Sequence, residues 1–279
     1  MKMINKKIDF VGIISVTNAN PNGDPLTGNR PRENYEGYGE ISDVCLKRKI
    51  RNRLQDMGEK IFVQMEERSD DGCNSLSDRM KNLVKGNKDK DEVSKMVCEE
   101  WIDVRSFGQV FAFKDKENMS LGVRGPVSIH SAFSVDPVDI TSLQITKSVN
   151  SEPSDGKKSS DTMGMKHRVD FGIYLLKGSI NCQLSEITGF NEEDAEKIKE
   201  AIRTIFDNDA SSARPDGSMT MERLYWWTHN SKLGDYPSSK VHRQITVKKK
   251  ENVDIPKSIE DYEVIEEKLP NLHLDYYEV

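Results

Sequence analysis

The sequence predicts an α+β fold: a ferredoxin-like (RRM-like) βαββαβ core carrying two insertions. Three observations point there. Two well-patterned amphipathic helices each fall between strand-like segments, around residues 42–58 and 191–206. Four apolar runs alternate or fill like strands, near 8–16, 127–135, 169–175 and 219–227. The intervening stretches 59–118 and 136–166 fit none of these six elements and read as additions.

In chain order, Ile8, Phe10, Gly12, Ile14 and Val16 share one face of a first strand. A polar loop from Thr17 to Glu40 follows, rich in Pro and Gly and long enough to suggest a role beyond connection. Ser42 is placed to cap a helix with Asp43 in its first turn. Leu46, Ile50, Leu54 and Met57 then repeat at helical spacing up to Gly58. Lys47 and Arg51, four residues apart, share a face off that stripe. Residues 59–118 hold two short helical patterns, Leu76 to Val84 and Val93 to Trp101, and a strand-like FGQVFAF. Val127, Ile129, Phe133 and Val135 alternate through a single second strand. In 136–166, a strand-like ITSLQITKSVN leads to a Ser-rich polar tip. Val169 to Leu175 forms the third strand, and Asn191 caps a helix with Asp194 three residues on. Pro215-Asp216-Gly217 turns the chain into the fourth strand, MTMERLYWW. Tyr225, Trp226 and Trp227 are expected in the core rather than as stacking platforms.

The chain has 279 residues, 35 % apolar and 32 % charged, so its surface is large for its core. Its longest uncharged stretch, Phe10 to Gly23, is too short and polar to span a bilayer, and the amino terminus lacks a signal-peptide pattern. Four cysteines without a CxxC pair argue against structural zinc and a disulfide framework, pointing to a reducing cytoplasm and no cofactor. The net charge is −6, but residues 251–279 hold nine acids and two lysines, leaving the rest at +1. Two basic runs stand out: Lys47, Arg48, Lys49, Arg51 and Arg53, and the acid-free stretch with Lys240, Arg243, Lys248, Lys249 and Lys250. Each alone fits a solvated face; together, with a separate acidic tail, they favour a groove for a polyanion. No RNP signature marks the sheet, so RNA would enter by loops and the basic helix.

Four segments in order, NANPNGDP, GEISDVCLKRKIRNRL, DVRSFGQVF and RGPVSIHSAFSVDPV, resemble the backbone subunit of CRISPR Cascade surveillance complexes, most closely the type I-C form. ARPDGSMTMERLYWWTHNSKLGDYP extends the likeness toward the end. The resemblance implies a palm over 1–250, interrupted by fingers at 59–118 and a thumb hairpin at 136–166, then an acidic tail at 251–279. It further implies a non-catalytic subunit that polymerises along crRNA and presents the guide to a target DNA strand. Its partners would be adjacent copies, a large subunit and a crRNA-processing subunit, with no membrane.

The resemblance places RNA contacts at Asn18, Asn20, Ser42, Lys47, Arg48 and Arg51. The physics agrees: a helix N-terminus and cations one turn on suit phosphate without reading bases. Ser42 serves either RNA or the cap. Met163 and Met165 are either a thumb wedge between bases or core where the hairpin rejoins the palm. Lys166, His167 and Arg168 are candidate phosphate clasps at the thumb base. Asp103 and Arg105 read as a local ion pair and Arg223 as a strand-edge charge. Two other functions compete: a metal-dependent endoribonuclease using Asp24, and a protein-only scaffold. The five histidines show no catalytic spacing.

Overall fold

The computed structural model describes residues 2–86, 89–112, 120–146 and 163–278. Its centre is β1 (Ile8–Ala19), flanked on both sides by antiparallel strands. The chain then makes a small ribbon of β2 (Gly23–Asp24) and β3 (Arg30–Pro31), followed by β4 (Tyr38–Ile41) and α1 (Asp43–Asp56). The first insertion contains α2 (Leu76–Val84), α3 (Lys90–Glu100), α4 (Ile102–Phe107) and the paired strands β5 (Gly108–Ala112) and β6 (Ser120–Arg124). Next come β7 (Val127–Ile129), β8 (Ala132–Pro137), β9 (Ile140–Thr146) and the 18-residue β10 (Met163–Ile180). Then α5 (Cys182–Thr188), α6 (Glu192–Arg203) and β11 (Met219–Thr228) complete the body. The last elements are α7 (Ser238–His242), β12 (Ile245–Lys249), β13 (Tyr262–Glu266) and β14 (His273–Glu278).

The main sheet runs β14-β11-β1-β10-β8-β4, with β7 and β9 also on β10. Every described pair in it is antiparallel. Both faces of β1 are covered, so its burial is near-continuous rather than alternating. Phe10, Ile14 and Val16 pack with Leu46, Ile50 and Leu54 of α1 and Ile198 and Ile202 of α6. Val11 and Ile13 face the other way, toward Ile173, Tyr225, Val241, Ile245 and Val247. The second face is therefore closed largely by α7 and the β12–β13 hairpin, which the sequence reading did not resolve. Gly178 sits opposite Phe10, where a Cβ would fall 2.2 Å from the ring. Phe10 thereby lies flat against Trp226, ring centroids 5.1 Å apart.

Local signals hold where one or two residues decide them. Ser42 caps α1 by accepting from Cys45 N at 3.3 Å, and Gly58 takes φ +86° beyond its end. Asn191 and Asp194 form the expected capping box of α6. Tyr225, Trp226 and Trp227 are buried in the sheet.

Other expectations need correction. The second strand is two strands: pairing with β10 slips by one residue between Ile129–Gly178 and Phe133–Leu175. The slip reverses the pleat, burying Ala132 and Ser134 and turning Phe133 outward. The third strand begins at Met163, because β10 continues past the body and pairs with β9 as a projecting hairpin. The hairpin tip and the 118 boundary of the first insertion lie outside the described residues. The acidic segment is no loose tail over its described part: β13 pairs with β12, and β14 extends the main sheet beside β11. Asp275 holds Lys199 at 3.0 Å and Glu278 holds Arg223 at 2.7 Å, so its acids complement body cations. Among the described residues no helix is long and apolar enough to cross a membrane.

Candidate nucleic-acid interface

The amino-terminal half of α1 borders an open cleft of about 270 Å³, between the 21–23 loop, residues 65–68 and the 208–214 loop. Asn22 organises its mouth: its Oδ1 accepts from both the N–H and the hydroxyl of Ser42, at 2.9 and 2.8 Å. The Ser42 hydroxyl also caps Cys45, so local structure engages it as both donor and acceptor.

The five cations of α1 differ sharply in what they face. Arg51 is a structural residue: its Nε donates to Asp103 Oδ2 at 2.9 Å, and its guanidinium lies over Phe107. Asp103 is fully buried and also accepts from the N–H groups of Phe62 and Val63. Arg53 meets Asp207 at 3.4 Å and the Thr204 hydroxyl at 2.7 Å. Lys49 is buried against Asp209, which also receives Arg214 at 3.3 Å. Burial lowers the Lys49 pKa from its ordinary value, with Asp209 opposing. Lys47 pairs with Asp43 at 3.0 Å, in a partly exposed i,i+4 contact. Such a pair contributes only about 0.3–0.5 kcal/mol and can yield to a phosphate.

Arg48 is different. Nη1 donates to the Val63 carbonyl at 2.6 Å, and among the described residues no carboxylate lies within ion-pair distance. Burial lowers its pKa, and neighbouring Arg51 adds to the shift. A guanidinium remains charged all the same. Lys49 and Arg214 share Asp209, Asp56 holds Arg68, and Glu67 also lines the wall, so with Arg48 one positive charge is left uncompensated along this cleft.

The remaining candidates divide. Asn18 is exposed at the end of β1 with φ +52°, a left-handed conformation asparagine tolerates. Asn20 is buried and structural: its Nδ2 donates to the Asn29 carbonyl at 2.6 Å and its N–H to Ala213. Met163 and Met165 are 57 % and 54 % exposed, which removes the core alternative. Strand alternation splits the expected clasp. His167 shares a face with the two methionines, and Lys166 and Arg168 take the other. Arg30 donates to Ser142 Oγ at 3.2 Å, and Ser142 lies 2.8 Å from His167 Nδ1, which ties the long loop to the hairpin base. Arg168 lies 3.6 Å from Asp170, and Lys166 is exposed. Asp103 and Arg105 do not pair with each other; Arg105 reaches Asp194 at 2.8 Å. Asp24 caps a short turn at Leu26 N and meets Arg32 at 3.4 Å. Among the described residues no three His, Cys, Asp or Glu side chains are grouped to hold a metal ion.

Sequence reading missed Asn22, Asp209 and Arg214. Asn22 and Arg214 stand inside NANPNGDP and ARPDG, so motif position carried a signal; Asp209 offered none.

Comparison with known proteins adds three findings. The family described as "CRISPR-associated protein Cas7" matches residues 6–267. A "CRISPR-associated protein Cas7" of Haloferax volcanii is 26 % identical over 210 residues, 68 % of this chain. The match spans 61 % of that relative's length. A chain from a "CRISPR RNA-guided surveillance complex, pre-nicking" shares the fold, with TM-score 0.52 and 15 % identity over 83 % of this chain and 79 % of its own.

Proposed function

The chain belongs to the CRISPR-associated Cas7 family, and we propose that it is the non-catalytic subunit that polymerises along crRNA as the backbone of a Cascade complex, of the type I-C form. In this reading each copy grips guide phosphates and leaves base edges free to pair with a target DNA strand. Its neighbours are further copies, a large subunit and a crRNA-processing subunit. The four body strands stand in the order β11-β1-β10-β8 with helices between, which supports a ferredoxin-like, RRM-like palm. The finger and thumb roles of the two insertions belong to the same proposal.

The observation that carries the reading is the α1 cleft, which Arg48 lines without a carboxylate partner among the described residues, while on the same helix Lys47 holds only a weak one. Cations in such a state attract phosphate without sequence preference. A single copy makes few contacts, and copies joined on one strand gain affinity through effective concentrations of about millimolar.

Arg48→Ala is the direct test, since it removes one carbonyl hydrogen bond and no ion pair. The variant should unfold at the wild-type urea midpoint, yet purify with less short RNA. Its log–log salt slope for single-stranded RNA should fall by about 0.7, one phosphate's worth. Unchanged RNA content together with an unchanged slope would overturn the assignment.

The two exposed methionines are proposed to wedge between bases. Replacing Met163 and Met165 by Ser should leave stability within about 0.5 kcal/mol, as expected for surface positions. The regular nuclease-protection pattern of bound RNA should blur; a pattern as sharp as wild type would remove the wedge.

A further inference from the structure

The second basic run, Lys240 to Lys250, takes no part in the α1 cleft. It lies on α7 and β12, on the opposite face of the sheet, beside an open groove of about 670 Å³. Phe133 of β8, Leu175 and Lys177 of β10, and Arg243, Ile245 and Val247 are among the residues that line it. No carboxylate lines it. His130 and His242 meet edge to face at its end, ring centroids 5.8 Å apart.

The contrast with α1 lies in charge pairing. Four of the five α1 cations already face a carboxylate. Neither Lys177 nor Arg243 makes an ion pair among the described residues. Arg243 is exposed, and Lys177 is half-buried at the groove floor. Burial lowers the Lys177 pKa, and no acid opposes it. Beside these cations the β7–β8 slip has turned the Phe133 ring outward, 44 % exposed. Lys248, by contrast, is opposite Glu263 on β13 and adds little.

We propose that this groove is a second nucleic-acid site, taking a single DNA strand other than the guide, with Lys177 and Arg243 on phosphates and Phe133 against a base. An exposed aromatic ring flanked by unpaired cations is the combination that holds single strands without reading them. The sheet separates this groove from the α1 cleft, so both can be filled at once. Its source rests on the reading above: a guide that pairs with one strand of a duplex leaves the other strand unpaired, close to the same copies.

The test uses the assembled, guide-loaded protein and a fluorescein-labelled dT20 that cannot pair with the guide. Fluorescence anisotropy across a salt series compares wild type with Lys177→Met/Arg243→Gln and with Phe133→Ala. The double variant should bind dT20 about tenfold more weakly, and its log–log salt slope should fall by about 1.4, two phosphates' worth. Phe133→Ala should lose about fivefold or more, with its slope unchanged. Guide content, measured in the same preparations, should not change. Equal dT20 affinity in wild type and the double variant overturns the second site, as does binding of an acidic Asp/Leu peptide that dT20 does not displace. If the wild type carries no guide RNA, the backbone assignment falls, and the dT20 comparison still decides the groove.

Discussion

Arg51→Ala is expected to lose about 3–5 kcal/mol of folding stability, because it strands a buried carboxylate. Asp103 has no solvent exposure, so it cannot recover in water what it loses in the Arg51 guanidinium. Its bonds to the N–H groups of Phe62 and Val63 remain, but they do not cancel its charge. The loss also removes the cation above the Phe107 ring. For a chain of this size the melting temperature should fall on the order of 10 °C. Lys47→Ala is the control, since its partly exposed pair with Asp43 contributes about a few tenths of a kcal/mol. A failure of Arg51→Ala to carry RNA would therefore report unfolding, and Arg48→Ala is the informative RNA variant. An unfolding free energy for Arg51→Ala within about 0.5 kcal/mol of wild type in urea would return Arg51 to the list of phosphate contacts.

Asp9→Asn should be nearly as costly, about 3 kcal/mol at neutral pH, and its effect should depend on acidity. Asp9 is fully buried on β1, 2.8 Å from His229 Nε2 and 3.0 Å from Lys7 Nζ. His229 Nδ1 accepts from Asp235 N at 2.8 Å, so Nε2 carries the proton donated to Asp9. Burial by itself raises the Asp9 pKa, but the bonds from His229, Ser238 and Lys7 outweigh it and the net direction is down. A carboxyl held below its unfolded value of about 3.9 contributes stability that is complete above that value and lost as pH falls through the folded one. The wild type should thus lose this contribution below about pH 4, where the gap to the Asn variant narrows. Equilibrium unfolding at pH 7 and pH 3.5 checks the sign; a gap that widens on acidification would refute it. Because Asp9 holds the 229–238 segment against the sheet, the variant should also loosen the cover on the second face.

Both predictions turn on contacts that no local pattern reveals. Helical spacing places Lys47 and Arg51 on one face, but Asp103, 52 positions further on, decides what Arg51 does. α4 is only six residues long, too short for its period to be read. The capping box at Asn191 was legible because both partners lie within three residues. The slip between β7 and β8 was not, since Phe133 and Val135 continue the right spacing on the wrong face. β13 and β14 were hidden by composition: nine acids read as a solvated tail, although Lys199 and Arg223 neutralise two of them inside the fold. In the cleft, position within quoted motifs pointed to Asn22 and Arg214, and charge counting pointed to Arg48 without showing that it alone lacked a carboxylate.

The anchoring of Asp103 has a mechanical consequence. One carboxylate fastens the helix bearing the cleft to residues 62 and 63 near the entrance of the first insertion, and itself lies near that insertion's inner end. Such a joint resists hinging between the two parts. In a stack of identical links, small angular play at every link would accumulate with each added copy. Under the proposed stacking of copies, a stiff internal joint would confine that error to the contacts between copies, and the seating of one link on the next would set the pitch.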